Sequence, residues 1–275
     1  GSTNGLVHLT AMAGRLGITI DLIKFDEITK NLPMIVDLKP SGTGYMEDLY
    51  KAGGSQRIFY ELKDFLYLDA KSVNGTTLGE EIKNSAKWTQ NIITDKSNPV
   101  FNAGSIAVLK GTLAPNSAII KQSAATESLL IHEGRAVVFE GLEDLANRID
   151  RDDLDVTKDD VLVLKSIGPK GGPGMPEAGL IPIPKKLAKQ GVKDMVRISD
   201  GRMSGTASGT IILHVTPESY ENGPLAIVEN GDLIKLDVPK RKIDLMISEE
   251  EIAERLLKRK ELSIRRRGYN KIYME

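Results

Sequence analysis

Two loops concentrate the side chains able to do chemistry. The first, Gly168-Pro169-Lys170-Gly171-Gly172-Pro173-Gly174-Met175-Pro176-Glu177, sets four glycines and three prolines around one lysine and one carboxylate. Such a backbone is tightly shaped yet can approach a ligand closely. Its consecutive N–H groups predict an anion-binding nest, to which Lys170 adds positive charge. Glu177 is a single carboxylate suited to a hard cation such as Mg²⁺. The same composition also describes a solvated surface turn, and spacing alone does not choose between the two. The second loop, residues 200–210, frames three hydroxyls and Arg202 with Gly201, Gly205 and Gly209 between two strand-like segments. Ser204, between Met203 and Gly205, has the position of a nucleophile or base on a tight turn. A serine that removes protons must itself be activated by a base or a metal. The histidines are His8, His132 and His214. His132 is expected in a turn before Glu133-Gly134, and His214 as a satisfied core histidine among Ile211, Ile212, Leu213 and Val215. None has triad spacing, and the loop is not a G-x-S-x-G elbow. A metal is therefore the better candidate for activating Ser204.

The elements that must position these loops change character along the chain. Before about residue 95 the apolar period is helical. Ser2-Thr3-Asn4 caps a pattern of Leu6, Leu9, Ala13 and Leu16, and further helices are predicted over 25–31, 45–52, 57–66 and 78–88, with a short strand over 34–38. Beyond residue 100 short β-rich segments dominate: 105–110, 118–122, 136–139, 161–165, 195–199, 210–215, 225–228, 233–237 and 242–247. Asn230-Gly231 predicts a hairpin between the segments around Ile227 and Leu233. Helices are expected at 142–149, 184–190 and 248–262, the last opened by a Ser248/Glu251 capping box. Many short strands with few helices indicate a closed or sandwich β core with peripheral helices. The basic run from Lys258 to Arg267 reads as a solvated helix end.

Composition narrows the classes. With 275 residues, about two domains are expected. Lys+Arg at 37 against Asp+Glu at 38 gives no basic field for nucleic acid or an anionic membrane. No run approaches the ~20 apolar residues that cross a bilayer, and no signal peptide opens the sequence, so a cytoplasmic location is expected. The absence of cysteine excludes disulfides, thiolate zinc sites, cysteine nucleophiles and iron–sulfur clusters ligated by this chain. The chain starts at Gly1, which suits either a tag scar or a chain cut from something longer.

Both loops resemble signatures of the dihydroxy-acid dehydratase/phosphogluconate dehydratase family. The resemblance extends through Gly1-Ser2-Thr3-Asn4, residues 37–42, Met46-Glu47-Asp48-Leu49, Gly111-Thr112-Leu113-Ala114-Pro115, Gly223-Pro224-Leu225-Ala226 and Asn230-Gly231-Asp232. Residues 203–210 with Leu213-His214-Val215 are most similar to the sugar-acid (arabonate/xylonate) branch. The resemblance implies a mixed α/β fold, with residues 1–98 as the helical C-terminal part of an α/β N-terminal domain. Residues 99–275 would form a swivelling β/β/α barrel domain.

It also implies a hydro-lyase that converts a 2,3-dihydroxy acid into a 2-keto-3-deoxy acid, using Mg²⁺ and a [2Fe–2S] cluster. Ser204 matches the base, Thr206 and Gly205 the substrate-contacting positions, and Glu177 an Mg²⁺ ligand. The cluster cysteines, the other Mg²⁺ carboxylates and a carbamylated lysine lie upstream of Gly-Ser-Thr-Asn in the family. The chain therefore resembles a C-terminal half, expected to be inactive alone and to need the missing N-terminal half or a separate subunit. A homo-oligomer and a small-molecule acid substrate are expected, with no nucleic acid and no membrane. Two alternatives stand beside it: a non-catalytic anion-binding or partner-docking module, and the dihydroxy-acid dehydratase of branched-chain amino-acid biosynthesis.

Overall fold

The computed structural model describes residues 1–83, 85, 90–259 and 267–274. The chain forms two compact units, Gly1–Ile23 with Ile106–Glu275, and Lys24–Ser105. The smaller unit holds most of α2 (Leu22–Lys30), then α3 (Met46–Lys51), α4 (Gly54–Glu61) and α5 (Leu78–Ile82). The strand expected at 34–38 is reduced to isolated bridges, Met34 to Phe101, Val36 to Ile93 and Leu38 to Gly44. Its core is Ile35, Ala52 and Ile93. Part of the segment predicted to continue α5 toward residue 88 lies outside the described residues.

The larger unit begins with α1 (Thr3–Arg15), whose N-cap Ser2 side chain accepts the Gly5 N–H. Eight strands follow: β1 (Ala107–Leu109), β2 (Ser117–Ile120), β3 (Ile131–Phe139), β4 (Val161–Leu164), β5 (Arg197–Ser199), β6 (Ile211–Thr216), β7 (Leu233–Asp237) and β8 (Lys242–Leu245). They form one sheet in the order β1-β2-β6-β5-β4-β3-β7-β8. The centre, β3-β4-β5-β6, is parallel, and the flanking pairs are antiparallel. β4 and the second half of β3 are apolar on both faces, as strands covered on both sides are. Ala136, Val138, Val161 and Val163 join the main core with β1, β2 and β6. Val137, Phe139, Leu162 and Leu164 pack instead with Leu145 and Ile149, at α6 (Leu142–Arg148), and with Leu187 of α7 (Lys185–Lys189).

The two edges of the sheet meet. Lys110 bridges Lys242, with Lys110 N–H donating to Arg241 O (3.0 Å) and Ile243 N–H to Lys110 O (3.2 Å). Thr112 continues the seam through its N–H to Asp244 Oδ1 (2.8 Å) and its hydroxyl to Leu245 O (3.1 Å). The expected mixed α/β barrel with peripheral helices is thus present, nearly closed. Closure needs a residue without a side chain at Gly111, where a Cβ would lie 2.0 Å from Ile243 O. Gly111→Ala is expected to destabilise the larger unit by about 1–3 kcal/mol, the usual cost of overpacking. Urea unfolding followed by circular dichroism measures it, and an unchanged midpoint would show that the seam relaxes freely.

Three sequence expectations need correction. Residues 225–228 form a 3₁₀ turn, Pro224–Ile227, with Pro at its start, where the missing N–H is harmless. The hairpin at Asn230-Gly231 is therefore absent: Asn230 Oδ1 accepts Val138 N–H (2.7 Å) and Gly231 N–H donates to Ala136 O (2.9 Å), docking the turn on β3. The antiparallel partners of β7 are β3 and β8. At α8 (Glu249–Lys258), Ser248 accepts Glu251 N–H, but the Glu251 carboxylate turns to Arg255. Residues 260–262 of that predicted helix, and the basic residues at 260–266, lie outside the described residues.

Candidate active site

The loop bearing Ser204 leaves β5 and returns as β6, and it is anchored at entry, middle and exit. At entry Asp200, 1% exposed, accepts N–H groups from Ser166 (3.2 Å), Ile167 (3.0 Å) and Ser219 (2.9 Å). One buried carboxylate thereby joins three loops, as a buried charge requires. At exit Asp194 accepts the N–H and hydroxyl of Thr210, the Thr126 hydroxyl (2.7 Å) and Arg197 Nη2 (2.6 Å). Burial pushes the Asp194 carboxyl up, but hydrogen bonds from Thr126 and Thr210 and the Arg197 charge outweigh it, leaving the carboxyl below its ordinary range. In the middle Met203 is buried with Ala207, Ile211 and Leu213. Asn4 Nδ2 donates to Met203 O (3.1 Å), and Lys121 Nζ donates to Gly205 O (2.9 Å). Ser204 is left half-buried, with Gly205 and Thr206 exposed, and Ser204 Oγ lies 3.3 Å from Thr206 Oγ1.

Glu177 is brought to the same place. Its Oε1 accepts Arg202 Nη2 (3.0 Å) and Asn4 Nδ2 (3.2 Å), and Gly179 N–H donates to Arg202 O (2.7 Å). One asparagine side chain therefore spans the Glu177 carboxylate and the residue preceding Ser204. Glu177 Oε2 receives no hydrogen bond among the described residues, and the side chain is 39% exposed. That free oxygen suits Glu177 as one ligand of a divalent cation. It cannot hold the ion alone, because no group of three or more His, Asp or Glu that could bind a metal occurs among the described residues. An iron–sulfur cluster does not fit this chain, which offers no thiolate.

The predicted nest is real, but the protein fills it. Lys170 and Gly171 N–H groups donate to the Glu218 carboxylate (2.9 and 3.1 Å), and the Lys170 ammonium pairs with Glu221. Burial raises the Glu218 carboxyl against the opposing pull of those N–H groups. An external anion is thus excluded from these donors, which removes the main support for an anion-binding module.

The histidines also differ from expectation. His132 lies in β3 rather than a turn, paired with Leu236, and its Nε2 meets Asp159 O (2.9 Å). His214 is in β6, but its buried Nε2 has no partner and its backbone is left-handed (φ 51°). Burial, then the Arg202 charge, lowers its pKa to about 4, so it is neutral at pH 7. It lines a mostly apolar cavity of about 690 Å³ with Leu6, Ala11, Ile119 and Met175. Among the described residues no histidine hydrogen-bonds to Ser204. Sequence reasoning missed Asn4, Lys121, Asp194 and Glu218 as supports of the site. Only Asn4, beside the helix cap, carried a local signal.

The family profile described as dihydroxy-acid/6-phosphogluconate dehydratase C-terminal matches residues 91–275, and its N-terminal counterpart matches residues 1–81. The chain belongs to this dehydratase family. An L-arabinonate dehydratase of Rhizobium leguminosarum bv. trifolii (strain WSM2304) is 47% identical over 93% of this chain and 45% of its own length. An L-arabonate dehydratase of Azospirillum brasilense is 46% identical over 93% and 44%. A dihydroxy-acid dehydratase of Carboxydothermus hydrogenoformans (strain ATCC BAA-161 / DSM 6008 / Z-2901) is 42% identical over 92% and 46%. The chain spans about half the length of these dehydratases. Among the described residues no helix is long and apolar enough to cross a membrane.

Proposed function

We propose that this chain supplies the proton-abstracting part of a hydro-lyase that converts a 2,3-dihydroxy sugar acid into its 2-keto-3-deoxy acid. The observation that carries this reading is the Asn4 amide, which spans Glu177 Oε1 and Met203 O. It sets a carboxylate with one free oxygen beside the turn that presents Ser204. The sugar-acid assignment is supported by identities of 47% and 46% to arabinonate dehydratases against 42% to a dihydroxy-acid dehydratase.

In this mechanism Ser204 Oγ, deprotonated, takes the proton from C2 of the substrate. The C2–H electron pair forms the C2=C3 bond as the 3-hydroxyl leaves, and the enol tautomerises to the 2-ketone by taking a proton at C3. Thr206 and Gly205 face the substrate, with the Thr206 hydroxyl steering the Ser204 oxygen. Glu177 would hold Mg²⁺ through Oε2, and that ion, when bound, polarises the substrate carboxylate and 2-hydroxyl and so acidifies C2–H. Departure of the 3-hydroxyl is not assigned to any residue of this chain. The apolar Leu9, Met12 and Leu16 side chains exposed on α1 are suited to burial against a partner surface, a cysteine-bearing half or another copy.

The expected result is no 2-keto-3-deoxy acid from arabinonate or xylonate with the purified 275-residue chain and Mg²⁺, and turnover once a cysteine-bearing half is supplied. Turnover by the chain alone would overturn this division of labour.

A further inference from the structure

Lys121 follows β2 directly, and its side chain turns into the interior, leaving the residue 2% exposed. The described residues contain three buried cations: Lys121, Lys165 and Arg197. Lys165 pairs with Glu140 and Arg197 with Asp194, as charges removed from water require. Among the described residues no carboxylate forms an ion pair with Lys121. Among the described residues its side chain hydrogen-bonds to Gly205 O, the carbonyl one residue beyond Ser204. Burial lowers the Lys121 ammonium below its ordinary value. Arg202 and Glu177, also placed at this turn, are paired with each other. His214, close to Arg202, is neutral at pH 7. An uncompensated ammonium held against a catalytic turn is costly to fold, and it becomes favourable where negative charge develops.

We propose that Lys121 is a positioning residue for the proton-abstracting serine: it fixes the Gly205 carbonyl, and with it the Ser204–Thr206 turn, and its unpaired positive charge favours the deprotonated Ser204 side chain. The proposal rests on the reading of Ser204 as the base. The Nζ bond holds the carbonyl of the Gly205–Thr206 peptide unit, one residue beyond Ser204, so the ammonium sits against the turn that presents the Ser204 hydroxyl. A nearby positive charge favours the anionic form, so more of Ser204 is competent at a given pH. When C2–H is broken its proton passes to Ser204 Oγ and Lys121 keeps its own.

The test compares Lys121→Met, Lys121→Arg and Ser204→Ala in the dehydratase assembled from this chain and its cysteine-bearing half. Lys121→Met is expected to lower kcat by about 10–100-fold, below the loss seen when a direct oxyanion donor is removed. The rising limb of its kcat–pH profile should move about one unit to higher pH, since removal of the charge disfavours the alkoxide. KM should be little changed, and Lys121→Arg should restore the limb. A Lys121→Met profile with an unmoved limb would overturn the proposal, whatever the fall in kcat. Undiminished turnover by Ser204→Ala would instead overturn the serine reading. A folding failure of Lys121→Met is covered by ¹⁵N-lysine spectra of the unsubstituted 275-residue chain. One Nζ signal, assigned by its loss in Lys121→Arg, should titrate below the other lysines. Titration with the bulk would also sink the proposal.

Discussion

Ser204→Ala is expected to lower kcat for sugar-acid dehydration by about 10²–10⁴-fold in the assembled enzyme, the span attributed to a positioned proton-transfer group. The substitution removes one hydroxyl, which lies 3.3 Å from Thr206 Oγ1. It touches none of the anchors at Asp200, Asp194, Asn4 or Lys121 that shape the loop. The fold should therefore persist, and the loss should appear in the chemical step with KM nearly unchanged. Exchange of the substrate C2 proton with solvent deuterium, followed by NMR, separates the possibilities. If Ser204 is the base, exchange falls with turnover. If exchange continues at the original rate while turnover stops, another group takes the proton and the assignment is wrong.

Asp194→Ala is expected to destabilise the larger unit by about 3–5 kcal/mol, the cost of leaving one member of a buried ion pair without its partner. Among the described residues Asp194 is the carboxylate in an ion pair with the buried Arg197, and it also accepts from Thr126 and Thr210. Its loss frees the exit of the Ser204 loop at the point where Gly209 packs against Arg197, a Cβ there lying 2.0 Å from Nη2. The pH dependence follows from the carboxyl's lowered pKa. Because the folded value lies below the unfolded one, the contribution is present above the unfolded value near 4 and is lost as pH falls through the folded one. Acid unfolding of the wild type and Asp194→Ala should therefore converge at low pH. Equal stability of the two proteins at pH 7 in urea titrations would refute the structural role given to this pair.

The barrel was legible because its strands are short, β-rich and punctuated by glycine, proline and asparagine. The periods at β4, β6 and β7 fall within a residue of the expected spans. Asn230-Gly231 misled because a turn signal states that the chain reverses, not what it pairs with. Here its amide oxygen and N–H are taken by β3, after a 3₁₀ turn begun by Pro224. The two chemical loops were likewise visible from composition, and the structure brings them into contact through Arg202 and Gly179. What fills the nest was not visible, since Glu218 stands 48 residues from Lys170 and only the folded sheet makes them neighbours. The same holds for Lys121, 84 residues from Gly205. Local pattern can propose a ligand-shaped backbone, but a distant side chain can occupy it first.

Asn4 has a consequence for how this protein can be divided. The polypeptide contributes one helix to the barrel, makes an excursion through Lys24–Ser105, and then returns to build the sheet. A fragment cut where the C-terminal family profile starts, at residue 91, would keep Glu177 and Ser204 yet lose the amide that spans them. The first turn of α1 is hydrogen-bonded to a loop 173 residues away. The larger unit is discontinuous in sequence, and excising the barrel at a single cut would remove a support of the proposed site.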